Sequence, residues 1–264
     1  MQTSFSQLPQ REAPLADQIL CAALDIGEHI LRSGGEIHRV EDTIERICTA
    51  FGACYVEVFS IPSLIMASVR LEDGSLSYQM RRIYHTENNL YLLEEMNKLS
   101  RRLCDGTLPL SELRPAIEKA KSARPYPLWL LYLASALGAG GFAVFFGGTW
   151  RDAISGALVG LLLYLLQRHI PPFVNPMINT VIRSFLAGIG GILLVYIGLG
   201  QNTDKIMIGT IMLLIPGLEL STAVRDMLGG DLLTGSLRFL QSVLCALMIA
   251  FGFALAIFSL SSLV

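Results

Sequence analysis

Charge is scarce in this sequence. Asp, Glu, Lys and Arg make up 16% of its 264 residues, hydrophobic residues make up 52%, and the mean hydropathy is +0.52. That balance excludes both a disordered chain and an average soluble domain. The formal net charge of -2 offers no field for DNA or RNA, so no nucleic-acid partner is expected. Cysteine is sparse too: Cys21, Cys48, Cys54, Cys104 and Cys245 contain no CxxC and no paired spacing, so neither a zinc site nor a disulfide framework is signalled. There is no P-loop, no GxGxxG, no GxSxG around any serine and no local triad signature at His29, His38, His85 or His169. ATP, dinucleotides and ordinary hydrolase chemistry therefore have no support, and no cofactor is expected. The first twenty residues lack the apolar core of a signal peptide, which predicts a cytosolic N-terminus with reduced thiols.

What charge there is sits at one end. Residues 1–127 carry 14 Lys+Arg and 17 Asp+Glu, residues 128–264 only 6 and 5, while glycine runs 6 against 18 the other way. Glycine accumulates where helices approach closely in lipid. The expectation is a cytosolic α+β domain over 1–124 fused to a five-helix transmembrane domain over 125–264.

In the first half, Leu15, Ile19, Ala22, Ile26 and Ile30 recur at steps of three and four, predicting a helix over 14–33 that Gly34-Gly35 ends. Ile37, Val40, Ile44, Ile47 and Phe51 predict another over 36–51. The period then changes: segments 54–60, 64–71 and 75–83 read as three strands, with EDGS at 72–75 as a turn. Helices return over 87–104 and 109–121.

In the second half, charge-free stretches run over 125–150, 153–167, 184–203, 206–218 and 239–264. A crossing needs about 20 residues for a bilayer core of roughly 30 Å. The first, third and fifth suffice; the second spans only with Arg151, Asp152, Arg168 and His169 at its ends. The fourth must carry Glu219 into the bilayer edge or break at Pro216-Gly217. Arg114, Lys119, Lys121, Arg124, Arg168, Arg183, Arg225 and Arg238 fall on one side and only Arg151 and Lys205 on the other, which gives five spans, N-terminus in and C-terminus out. An odd number invites a homologous partner, or a second copy in a homo-oligomer, to complete inverted repeats. Gly138, Gly140, Gly141, Gly156, Gly160, Gly188 and Gly191 let backbones approach.

The polar residues of the second half carry the candidate chemistry. Pro216-Gly217 reads as a broken helix whose freed backbone groups meet substrate or proton, or as a packing kink. Ser221 and Thr222 follow directly. Glu219 is a proton-carrying carboxylate or a residue already at the cytosolic interface. Arg225, Asp226, Asp231 and Arg238 read as arginine ligands for a substrate carboxylate with acids as amino-group partners or gates, or as a solvated loop; Asp231 and Arg238, two turns apart, could share a face. Asn175-Pro176 reads as a re-entrant turn or an ordinary connection. His38 and Glu41 lack third and fourth ligands, so no metal is expected.

Three ordered segments, SGGEIHRVEDTIERICTAFG at 33–52, VEVFSIPSLIMASV at 56–69 and LLIPGLELSTAVRDMLGGDLLTGSLR at 213–238, resemble the threonine/serine exporter family. Within it the likeness is to the YjjP-like subunit that carries the cytosolic domain in split, two-gene systems. The resemblance covers about 20–260. It implies a bacterial inner-membrane, proton-coupled exporter of small carboxylate-bearing metabolites, threonine/serine or dicarboxylates such as succinate. It also implies a separate small membrane subunit as partner and a polar cluster of Glu36, Arg39 and Glu41 near the pore mouth. Position 219 is often uncharged in that family, so Glu219 departs from its pattern. A membrane-anchored hydrolase and a non-transporting scaffold are the alternative readings.

Overall fold

A computed structural model describes residues 14–123, 126–169 and 175–260. The chain parts into two compact units: residues 1–123 with 221–238, and residues 124–220 with 239–264. Helix α9 (Gly217–Leu228) begins in the second and ends in the first.

The first unit is built on α1 (Leu15–Arg32) and α2 (Ile37–Ala50), then strands β1 (Ala53–Ile61), β2 (Leu64–Leu71) and β3 (Leu76–Arg82), then α3 (Leu90–Cys104) and α4 (Leu110–Ser122). The strands form one antiparallel sheet in the order β1-β2-β3. Alternation decides its faces: Ile65, Ala67 and Val69 of β2 point inward and are buried with Ile19, Leu24 and Ile30 of α1, Ile44 and Ile47 of α2, and Met96 and Leu103 of α3. Burial of this many branched side chains supplies the main stabilisation of the unit. The α1–α2 connection is tight. Gly34 has φ +88°, open to glycine at little cost, and a Cβ on Gly35 would lie 2.6 Å from Ile30 Cγ2 and 2.8 Å from its carbonyl oxygen. The unit is completed by the later part of α9 (Gly217–Leu228) and the start of α10 (Leu232–Ser259).

The second unit contains α5 (Leu128–Phe145), α6 (Trp150–His169), α7 (Pro176–Tyr196), α8 (Thr203–Leu214), the first turn of α9 and the remainder of α10. Small residues set its packing. Cβ atoms on Gly140 and Gly160 would meet the carbonyl oxygens of Ala153 and Ser135 at 2.7 and 2.6 Å, so α5 and α6 touch backbone to backbone. Gly209 of α8 is closest of all, with Ala139 O of α5 at 2.4 Å from such a Cβ. Gly209→Val is therefore expected to prevent accumulation of folded protein, and Gly209→Ala to cost about 1–3 kcal/mol as overpacking, measured by thermal unfolding in detergent.

Among the described residues three helices, α5, α7 and α10, are long and apolar enough to cross a membrane, and α8 with α9, bent by 52°, make a fourth if they form one broken span. The count of five expected from charge-free stretches is thus three to four on length and apolarity. The difference is α6, whose charged and polar residues dilute its hydrophobicity. Of the four residues expected at its ends, Arg151, Arg168 and His169 are exposed there and Asp152 is the exception. Asp152 is fully buried and does not reach out to an interface: it accepts hydrogen bonds from Thr149 N and Oγ1 (both 2.8 Å), Gln201 N (2.7 Å), and Asn202 N and Nδ2 (both 2.8 Å). This acid caps α6 and ties it to the α7–α8 connection.

Candidate functional site

The chain's polar chemistry collects in two places, one in each unit. In the first unit, α2 starts with a poor cap: Glu36 makes no capping hydrogen bond of its own. Asp226, 189 residues away in sequence, does that work. Its Oδ1 accepts from Ile37 N at 3.3 Å, placing a carboxylate at the positive end of α2. Its Oδ2 accepts from Arg238 Nη1 at 2.9 Å, and Arg238 Nη2 donates to Gly35 O at 2.8 Å. Asp226 is 3% exposed and the Arg238 side chain 11%. Beside them the exposed Arg225 pairs with Glu36. The hairpin that joins α9 to α10 turns at Gly229-Gly230 and is closed by Asp231 N donating to Asp226 O at 2.9 Å. Residues 35–37 are thus fastened to α9 and α10 by an ionic latch of two arginines and two acids.

Arg225 and Asp226 lie on α9, Asp231 immediately precedes α10, and Arg238 of α10 pairs with Asp226. The hairpin returns the start of α10 alongside α9, a contact that spacing within one helix does not express. Of the cluster expected from Glu36, Arg39 and Glu41, only Glu36 meets the arginines. Arg39 is exposed and forms no ion pair among the described residues. Glu41 turns to the sheet and accepts from Ser60 N at 2.7 Å.

Burial pushes the Glu41 carboxyl above its ordinary range, the Ser60 hydrogen bond opposes this, and the negative charge of Asp231 adds to it. A folded pKa above the unfolded one means that folding favours the protonated form. That contribution is fully present below the unfolded pKa and is lost as pH rises through the folded one. Glu41→Gln, which keeps an acceptor for Ser60, is expected to raise the melting temperature relative to the parent at neutral pH. The difference should vanish on acidification to about pH 4.

In the second unit, α8 ends at Leu214 and α9 begins at Gly217. Pro216 cannot donate, so Met212 O loses its helical partner and the chain bends. Pro216 is half-buried and Gly217 exposed, with nothing within 4 Å of a Cβ placed there. Glu219 sits half-buried in the first turn of α9. Ser221 is exposed and Thr222 half-buried on the next turn. Asn175 and Pro176 form the capped start of α7: Asn175 Oδ1 accepts from Met177 N at 3.0 Å and Pro176 takes the first helical position. Residues 170–174 of the same connection lie outside the described residues. Among the described residues no group of three or more His, Cys, Asp or Glu could hold a metal, and all five cysteines are free thiols.

One residue escaped the sequence reading. Arg183, expected from the charge-free stretches to mark a boundary, lies inside α7, seven residues past its start, because that helix begins at Pro176 and not at the charge-free stretch. The signal available was the cap pair Asn175-Pro176, which marks a helix start upstream of the arginine.

The family model described as putative threonine/serine exporter matches residues 22–260. The chain belongs to that family. It is 27% identical over 254 residues to a probable succinate transporter subunit YjjP of Escherichia coli, covering 94% of this chain and 96% of that one. The same named subunit of Klebsiella aerogenes is 26% identical over 86% of this chain and 88% of its own. A threonine/serine exporter of Corynebacterium glutamicum is 22% identical over 86% of this chain but only 48% of its own length. No solved structure matches. The resemblance drawn from the three sequence segments is thus established over nearly the whole chain, and it makes this a membrane transporter of the exporter family.

Proposed function

We propose that this chain is one subunit of a proton-coupled exporter of small carboxylate-bearing metabolites, threonine/serine or dicarboxylates such as succinate. It works as a five-span protein in a bacterial inner membrane with its N-terminus in the cytoplasm, α6 and the bent α8–α9 pair each counting as one crossing. The carrying observation is the break at Ile215-Pro216 with Glu219 immediately behind it. Irregular backbone is tolerated at membrane depth where it lines a cavity, and broken helices are where transporters place cargo and coupling ions. Coverage of nearly the full length of two transporter subunits, against half of a longer exporter, supports a split system in which a second small membrane subunit completes the path. The ionic latch at Asp226 supplies a gate that two buried charges hold closed.

The test is transport in inside-out membrane vesicles from cells expressing the chain, alone and with the small apolar reading frame expected beside its gene. An imposed proton gradient should drive accumulation of radiolabelled succinate or threonine, and a protonophore should abolish it. Accumulation no greater than in vector-control vesicles for both substrates, with both subunits present, would overturn the proposal.

A further inference from the structure

We propose that the cleft around Arg183 in the second unit is where the exported metabolite's carboxylate is held; this rests on the transport reading above and gives it a binding site.

The cleft has a volume of about 450 Å³ and lies where α5, α6, α7 and α8 converge. That is within the range of sites that enclose small molecules. Arg183 projects into it from α7, roughly 10 Å along the helix from its start at 1.5 Å per residue. Its Nε is buried without a hydrogen-bond partner, and among the described residues no acid forms an ion pair with it. By contrast, buried Asp152 of the same unit receives five hydrogen bonds. Arg183 is half-buried with its Nε shielded from water and unpartnered, and an anion gripped by the fork would answer it. The planar fork suits a carboxylate, which it can grip through two parallel hydrogen bonds.

The rest of the lining fits a small polar ligand. Gln167 of α6, and Thr180 one turn before Arg183, offer donors and acceptors, while Leu213 and Leu214 close an apolar wall with the last residues of α8 before the break. Tyr164 also lines the cleft, its ring held edge-on against Tyr132 with centroids 4.6 Å apart.

The experiment is direct binding of radiolabelled succinate and of threonine to the purified full chain in a neutral detergent, measured independently of transport. The parent chain should bind at least one of them, and Arg183→Gln should weaken that binding roughly thirtyfold or more, as expected when one partner of a desolvated charge pair is removed. Arg183→Lys, which keeps the charge but loses the fork, should fall between the two. Thermal unfolding in the presence of ligand provides the folding control. Should Arg183→Gln fail to give a cooperative transition, Arg183→Lys and Gln167→Leu carry the test, and binding by both equal to the parent overturns the proposal. So does binding unchanged in a folded Arg183→Gln, or no binding of either carboxylate to the parent chain. Phosphatidylglycerol protecting the parent against unfolding in an Arg183-dependent way, with succinate and threonine without effect, would make the cleft a lipid-phosphate site and also overturn it. Vesicles that transport nothing refute the transport reading; vesicles that transport normally with Arg183→Gln refute only this site.

Discussion

In vesicles carrying the full chain and the second subunit proposed for it, Glu219→Gln is expected to reduce the proposed proton-gradient-driven transport to the vector-control level. Exchange of labelled for unlabelled substrate at zero gradient should continue. The reasoning is chemical. Coupling needs a group that takes up a proton on one side of the membrane and gives it up on the other, and the amide matches the carboxyl in size and hydrogen bonding but does not titrate. Glu219 is half-buried and follows the break in α8–α9. A purely structural role makes a different prediction. An acid in the first turn of a helix stabilises that turn through the dipole, an effect of about 0.3–1 kcal/mol that gradient-driven transport would barely register. Glu219→Asp, which keeps the titrating group, should retain coupling. Gradient dependence unchanged in Glu219→Gln would remove Glu219 from the proton path.

How much of this was legible beforehand differs between elements for physical reasons. Local periodicity placed all seven elements of residues 15–122, because α1 and α2 each bury one stripe and β2 alternates cleanly between buried and half-buried positions. Gly34-Gly35 ended α1 as expected, since positive φ is a property of one residue and its neighbours. The membrane half was harder. Counting charge-free stretches assumes that charges mark helix ends, yet Arg183 and Arg238 both lie inside helices, α7 and α10. Each is found there because the folded chain offers something the local sequence does not: a cleft for Arg183, and Asp226 with Gly35 O for Arg238. The capping of α2 by Asp226 was beyond sequence reading altogether, as the two residues meet across 189 positions. A faint trace existed in Glu36, a weak N-cap at the head of a strongly patterned helix, which implies that the missing acceptor comes from elsewhere.

The buried pair at Asp226 and Arg238 yields the largest expected loss of stability. Removing either partner leaves an uncompensated charge in a nearly dry place, which typically costs about 3–5 kcal/mol. Asp226→Ala should cost at least that much, because it also uncaps α2 by removing the acceptor of Ile37 N–H. Arg238→Ala strips the second bond from Gly35 O as well. Replacing both residues together removes the stranded charge, so the double variant should recover part of the loss. It should not recover all of it, since Ile37 N–H and Gly35 C=O remain unanswered. Denaturant or thermal unfolding of the two single variants and the double variant closes the cycle. Transport read alongside stability distinguishes a gate from a strut. A gate held by this pair predicts that the double variant, once folded, leaks substrate down its gradient without protons. A strut predicts that transport per folded molecule returns to normal with stability. Losses that add with no coupling between the two sites would mean that the two charges do not act as a pair, and the latch would then have to be assigned to Arg225 and Glu36 alone.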